Sequence, residues 1–417
     1  MSKLIDSEEG MPQELIPFEV RSTQVMIKGV QEVRYLPINS FETSDTVNFE
    51  IPAQHNLMIK NIEIVTKFKI GGDDENDVTL VSNPANALWK QVDIILNNKH
   101  QLSNPMQQSS NYETFFSTIL NVDREREEVL FSNQGFLLDT GSDKTEADKI
   151  TNTNAVKRGA LIEDGKTVTM ISDLNCSLLK TPKLLIPGLE FNISLTKNKP
   201  EFLLMTKGSD FKIQIEKVYL NVTYVQPEPF YLQMLEEKLE KTPAVYDGHR
   251  TEITIFGIQS GVTKYEFNNI FRGPLPSFIV LCVQDRDAIN GDYGKNPYTF
   301  HSFKSIQAYI NNREYFPDAL ENSKEDDTLI LNHFYKALGY DLKGTCLINR
   351  DNFRAHFMVP IVIARDRSIK FHHNLQETAA FKLEIEFESA VPSNQVLMVY
   401  SVYDQIIKID KDRQVLL

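Results

Sequence analysis

The chain is poor in several things, and each shortage removes a class of protein. It has three cysteines in 417 residues, Cys176, Cys282 and Cys346, with no CxxC pair. A sparse, odd set builds no disulfide framework and no cysteine-based zinc site. Cys282 lies inside an apolar run and reads as a small core hydrophobe. No apolar stretch approaches the roughly 18 residues a membrane helix needs; the run from Leu275 to Val283 is typical of what is present. Positive charge is also short. The net charge of −13 argues against broad, non-specific nucleic-acid binding, which needs a basic surface. The sequence has no GxSxG, HExxH or P-loop. Met1 to Glu9 lacks the layout of a secretory signal, so the expected compartment is the cytosol or nucleus. The N-glycosylation sequons at Asn175, Asn192 and Asn221 then read as coincidence.

What is there is a soluble composition, 41% hydrophobic and 24% charged, in a chain long enough for two to three domains. It is also a repeat. Trp89-Lys90-Gln91-Val92-Asp93-Ile94-Ile95-Leu96-Asn97-Asn98-Lys99 returns as Phe303-Lys304-Ser305-Ile306-Gln307-Ala308-Tyr309-Ile310-Asn311-Asn312-Arg313. Each copy reads as a strand running into a tight turn, because Asn tolerates positive φ at low cost. Trp89 and Phe303 become equivalent core anchors. The two Asn pairs become equivalent hairpin tips.

The flanks extend the match. Residues 1–30 are polar and unpatterned and read as an N-terminal arm. Strand-like alternation follows at Asp45–Ile51 and Leu57–Ile70. After the first copy, Ser110 and Glu113 have capping-box spacing. Tyr112, Phe115, Phe116, Ile119 and Leu120 then share one helical face. Residues 139–165 turn polar and read as a long surface loop. Strands are expected again at Thr167–Ile171, Lys183–Leu195 and Phe211–Val225, the last with the best alternation in the chain.

A short helix with Tyr231, Leu235 and Leu239 on one face closes the first half. The second half repeats the order. Thr251–Phe256 and Tyr265–Ile270 read as strands, and Ser277–Val283 matches Glu63–Lys69. The expected helix Leu329–Leu338 aligns Phe334, Tyr335 and Leu338 with Phe115, Phe116 and Ile119. Phe357–Ala364, Phe381–Phe387 and Val396–Val402 are further strands, with Phe381–Phe387 matching Leu189–Leu195 at an offset of 192. Period-2 alternation in short strands points to antiparallel sandwiches rather than a parallel α/β sheet. The expected division is an arm at 1–30, a first sandwich at 31–228, a linker helix at 229–243 and a second sandwich at 244–417. Composition and spacing reach an all-β chain of two tandem antiparallel β-sandwiches, each of a size that suits an eight-stranded jelly roll with insertions, and no further.

Several clusters invite a chemical reading and receive a bland one. The acidic loop Asp73, Asp74, Glu75, Asn76, Asp77 lacks the ligand spacing of an EF-hand and reads as solvated. His372 and His373 are adjacent, so on a strand they point to opposite faces and chelate poorly. Asp285-Arg286-Asp287 and Arg365-Asp366-Arg367 read as salt-bridge clusters. Gly71-Gly72 and Gly257 read as turn glycines. No catalytic, cofactor-binding or metal-ligating residue is assigned, and no cofactor is implied.

The chain resembles the double jelly-roll major capsid proteins of Polinton (Maverick) elements, adintoviruses and related virophage-like viruses. The resemblance is carried by Asn86–Asn98 with the Tyr112–Leu120 helix, by Asp173-Leu174-Asn175 leading to Leu184–Leu195, by Val222–Val225, and by Asn296-Pro297-Tyr298 leading to Ile306–Pro317. It spans about residues 30 to 415 and rests on motif order. It implies an all-β fold of two tandem eight-stranded antiparallel jelly rolls (31–228 and 244–417) with short inserted helices, and a non-enzymatic structural protein. The protein would form pseudo-hexameric homotrimers that tile an icosahedral shell. It would meet neighbouring capsomers, penton and minor capsid proteins, without sequence-specific nucleic-acid binding. The resemblance places it in the virion after synthesis in the host cytoplasm. Two other readings stay open on the residues alone: a tandem β-sandwich that binds carbohydrate or protein, and a double jelly-roll scaffold used during virus assembly.

Overall fold

In a computed structural model, strand residues outnumber helical ones among the described residues, and the strands of each sheet pair antiparallel. The structure describes residues 23–42, 44–71, 78–103, 109–140, 152–206, 211–291, 296–323, 326–340, 344–365, 373–392 and 394–416. The acidic loop 73–77, Gly72, His372, Asp366, Arg367 and most of the 1–30 arm lie outside the described residues.

The first half contains β1 (Ile27–Tyr35), β2 (Thr46–Ile51), β3 (Met58–Gly71), β4 (Thr79–Leu80), α1 (Pro84–Ala87), β5 (Trp89–Leu96) and β6 (His100–Gln101). Then come α2 (Ser110–Asn121), α3 (Glu127–Gln134), α4 (Thr153–Gly159), β7 (Val168–Asp173) and β8 (Phe191–Lys197). It ends with α5 (Pro200–Leu203), β9 (Leu204–Met205) and β10 (Lys212–Pro227). Helix α6 (Pro229–Leu239) leads to the second half: β11 (Ala244–Gly257), β12 (Lys264–Asn268), β13 (Phe278–Asp285), α7 (Arg286–Asn290), β14 (Ser305–Ile310), β15 (Arg313–Glu314) and β16 (Leu320–Glu321). There follow α8 (Thr328–Leu338), α9 (Arg350–Phe353), β17 (Val359–Val362), β18 (Phe381–Glu386), β19 (Gln395–Ile409) and β20 (Val415–Leu416).

The wiring is the same in both halves. The first lobe packs a sheet ordered β1-β10-β3-β7 against one ordered β2-β8-β5-β6. The second packs β11-β19-β13-β17 against β12-β18-β14-β15, with β20 and β16 added at β19 and β14. First strand beside last in one sheet, second beside next-to-last in the other, is jelly-roll topology. A shared core runs through both lobes, from Val47 and Phe49 to Leu397 and Val399.

The repeat survives as geometry. Trp89 and Phe303 are each 1% exposed. Asn97, Asn98, Asn311 and Asn312 have φ of 50°, 58°, 49° and 62°. Positive φ at both central residues belongs to a hairpin turn that suits the right-handed strand twist. Lys99 N–H closes the first turn on Leu96 O at 3.1 Å, and Ile310 pairs with Arg313 across the second. Asn is also used for its side chain. Asn97 Oδ1 accepts from Glu190 N–H at 2.8 Å, and Asn311 Oδ1 accepts from Ala380 N–H at 3.1 Å. Each tip is thereby stitched to the residue before β8 or β18.

Four expectations need correction. Leu96 lies opposite Phe191 and Ile310 opposite Phe381, so the matching strands are offset by 190, not 192. A slip of two leaves every side chain on its face, so alternation alone cannot detect it. Second, the strand expected from Lys183 begins only at Phe191. Before it, Pro187 and Gly188 (φ 86°) turn the chain, and Leu185 makes only a single bridge to Ile59. Third, strand β1 starts at Ile27, inside the expected arm. Fourth, 139–165 is not all surface. Asp139, Ala155, Arg158 and Ile162 are buried, and α4 lies against β4; residues 141–151 are outside the described set.

Asn312→Val is expected to lower stability by about 1–2 kcal/mol, the cost of left-handed backbone for a residue with Cβ branching. Asn312→Gly should stay within about 0.5 kcal/mol of the parent. Denaturant midpoints of the two variants check this pair.

Candidate functional site: the junction between the lobes

The two lobes meet over side chains the sequence marked only as one helix face. Helix α2 of the first lobe packs against its own β5 and against β11 of the second. Phe115 stacks on Tyr298 with ring centroids 4.3 Å apart, and Phe116 stacks on Phe300 at 5.8 Å. Tyr400 of β19 lies 5.2 Å from Phe116. Tyr112 adds edge contacts to Tyr298 and Phe202. Such pairs contribute about 0.5–1.5 kcal/mol each beyond their burial.

This explains the composition of β13. Its run Phe278 to Gln284 is buried throughout, whereas β3 alternates with exposed Lys60 and Lys67. A strand covered on both faces reads as a continuous apolar run. One face of β13 meets its own lobe, and Tyr112 covers the Cys282 side.

Around Asp139 the junction holds a connected set of buried polar groups. Asp139 is 4% exposed and Arg158 1%. The Arg158 guanidinium pairs with Asp139 Oδ1, and its Nε donates to Leu80 O at 2.8 Å. Asn152 Nδ2 donates to the same carboxylate at 2.8 Å and Ser82 Oγ at 3.1 Å. From the second lobe, Asn296 Nδ2 donates to Asp139 Oδ2. Also from the second lobe, His356 Nε2 accepts from the Asp139 backbone N–H at 3.1 Å, while Nδ1 donates to Tyr298 O at 2.7 Å. Burial pushes the Asp139 carboxyl up, but the adjoining Arg158 guanidinium outweighs it and holds the group below the usual carboxylate range.

The capping box expected at Ser110 and Glu113 is absent. Ser109 holds the N-cap position of α2 without a side-chain capping bond, and Ser110 Oγ accepts from Val92 N–H of β5 at 3.1 Å. Glu113 Oε2 accepts from Thr251 Oγ1 of the second lobe at 3.2 Å. Burial drives its carboxyl up to about 7, against the lowering effects of Thr251 and Lys180. Around it, between the lobes, is a cleft of about 1550 Å³ lined by Trp89, Glu113, Lys180, Thr251 and Tyr400 among others.

Below the cleft the C-terminal hairpin crosses back to the first lobe. Arg413 pairs with Glu236 of α6 and donates to Pro187 O at 2.9 Å, and its carbonyl accepts from Asn97 Nδ2. Tyr246 of β11 bonds Ile186 N and Leu184 O.

The clusters weighed in the sequence stay apart. Asp285 pairs with His301 at 3.1 Å, and Arg365 with Glu377. His373 reaches Asp247 at 3.5 Å. Gly257 ends β11. Among the described residues no three His, Cys, Asp or Glu side chains converge as a metal ion requires. Among them, too, no helix is long and apolar enough to cross a membrane. All three cysteines are free and buried. Sequence reading missed Asp139, Arg158 and His356; the only local signal was an arginine four residues past an Asn-Thr-Asn cap.

Arg158→Met should destabilise the fold by about 3–5 kcal/mol, because it leaves the Asp139 carboxylate buried without its cation. Chemical denaturation at pH 7 measures this. Glu113 has the opposite sense. Its pKa is raised on folding, so it costs stability as pH rises from about 4.5 to about 7. Glu113→Gln is therefore expected to raise the unfolding midpoint at pH 8 and to change it little at pH 4.5.

No family model and no curated protein matches the sequence. Solved structures do match the fold. The Sputnik virophage structure aligns with a TM-score of 0.65 at 11% identity, over 100% of this chain and 94% of that one. The mavirus major capsid protein gives 0.59 at 11% identity over 100% and 96%. The Faustovirus major capsid protein gives 0.59 at 9% identity over 95% and 92%. The chain has the double jelly-roll fold of these capsid proteins.

Proposed function

We propose that this chain is a major capsid protein whose homotrimers form pseudo-hexameric capsomers of an icosahedral shell. Its role is structural, not enzymatic. The observation that carries the reading is end-to-end agreement with capsid proteins: two identically wired jelly rolls, matched over the whole of this chain and nearly the whole of the Sputnik and mavirus chains. The repeating lobes of the assembly are 27–228 and 244–417, joined by 229–243, with the residues before Ile27 as an arm.

The physics supports it. A trimer of a two-lobed chain offers six similar lobes, so one gene product can occupy a near-sixfold lattice position. Stacked aromatic rings and buried hydrogen bonds tie the two lobes together, as a lattice unit needs. Apolar surface is available for assembly contacts. Phe230 and Met234, one turn apart on α6, are 65% and 47% exposed. Met26, 45% exposed, lies beside them, its carbonyl accepting from Glu228 N–H at 2.9 Å. Exposed apolar groups of this kind mark association surfaces. A permanent interface should bury well over about 2,000 Å² per contact pair. Further partners in this reading are neighbouring capsomers, penton and minor capsid proteins, and the destination is the virion.

Native mass spectrometry of the purified chain is expected to give a trimer at micromolar concentration, and electron microscopy of the expressed protein is expected to give closed shells. A strictly monomeric species across that range would remove the proposal. Trimers that coat membranes without closing a shell would assign it instead to assembly scaffolding.

A further inference from the structure

His356 occupies an unusual place for a titratable group. It is 0% exposed, it sits on the second lobe, and its ring bridges the junction. Both ring nitrogens are committed. The backbone N–H of Asp139 in the first lobe points at Nε2 at 3.1 Å, so Nε2 must be the bare acceptor. The proton is then on Nδ1, which donates to Tyr298 O at 2.7 Å. This arrangement accepts only the neutral ring. A second proton on Nε2 would set two N–H groups against each other and delete the bond that crosses between lobes.

The surroundings cannot absorb the new cation. On the first-lobe side the charged groups facing the ring are Asp139 and Arg158. The Asp139 carboxylate is already occupied by Arg158, Asn152, Ser82 and Asn296. Arg158 is itself a fully buried positive charge beside the site. The remaining wall is the Phe115 ring, with its centroid 6.0 Å from that of the imidazole. On its own lobe the ring meets the backbone carbonyl of Tyr298, which the Nδ1 proton already occupies. Burial, the largest influence, pulls the His356 pKa down, and Arg158 adds to it against Asp139.

We propose that His356 is an acid-sensitive latch between the two jelly rolls: protonation at Nε2 breaks the Asp139–His356 bond and loosens the junction. The sign follows from linkage. An opened junction exposes a histidine of ordinary pKa, about 6.5, while the closed one holds it lower. The contribution of His356 to the closed state is therefore fully present above about pH 6.5 and is lost as pH falls from there toward the lowered value, opposite in sense to that of Glu113, so the comparison of the parent with His356→Gln isolates it. This device does not depend on the capsid reading, because it concerns one chain. If that reading holds, the same step would make a shell built from this chain weaken in mildly acidic surroundings.

Hydrogen–deuterium exchange tests it directly in the unaltered chain. After correction for intrinsic exchange chemistry, amides of 136–139 and 298–300 should open more readily below pH 6.5, by up to about tenfold per pH unit for one linked proton. Amides in the centre of β8 and β18 should not follow. His356→Gln, whose Oε1 can still accept from Asp139 N–H and never titrates, should abolish the step while leaving the trimer intact. Unchanged exchange at the junction between pH 7.5 and 5.5 overturns the latch. So does an equal pH response in the parent and His356→Gln. Should the variant fail to fold, exchange in the parent chain decides alone. A monomer with a working latch would count against the capsid reading only, and a trimer without the pH step against the latch only.

Discussion

Everything in this molecule leans on the contact of α2 with the second lobe. Phe115 and Phe116 stack on Tyr298 and Phe300, and Tyr400 closes the far side. Each lobe alone would leave this aromatic surface in water. Burying it makes the two sandwiches one body and leaves β13 apolar on both faces. The buried polar set around Asp139 is tolerable only because every member has a partner. It is costly to assemble and specific in geometry, since Asn296 and His356 meet Asp139 from the opposite lobe in one orientation only.

The duplicated architecture is uneven in an instructive way. The hairpin tips match in backbone, side-chain bond and partner, because a sharp turn that must also anchor the next strand leaves few solutions. The helices between the sixth and seventh sandwich strands have diverged. In α2, Phe116 is fully buried against the other lobe; in α8 the matching Tyr335 is only half-buried, and Leu329 is 64% exposed. One helix covers a neighbouring lobe within the chain, and the other has none to cover there.

Strand content, duplication and the aromatic helix face were legible because they are local and periodic. Burial on one face imposes alternation on β8 and β10, and positive φ imposes Asn on the tips. Errors arose where locality fails. The register of β18 against the first lobe slipped by two because alternation has that symmetry. Ser110 and Glu113 had capping spacing but found better partners, in Val92 N–H and Thr251 Oγ1, from other elements. The stretch 139–165 reads as surface because polar residues usually are. Here Arg158 is buried because Asp139, Leu80 O and Leu137 O satisfy its donors.

The sequence by itself determined that this is a duplicated all-β protein, where its turns fall, and which helix face is apolar. Each of those properties is a constraint between residues a few positions apart. Only the tertiary structure decided that the apolar face belongs to the junction, that Asp139 and His356, 217 positions apart, share a hydrogen bond, and that a histidine is held neutral there. Those facts depend on which groups folding brings together and shields from water, and no local pattern encodes that.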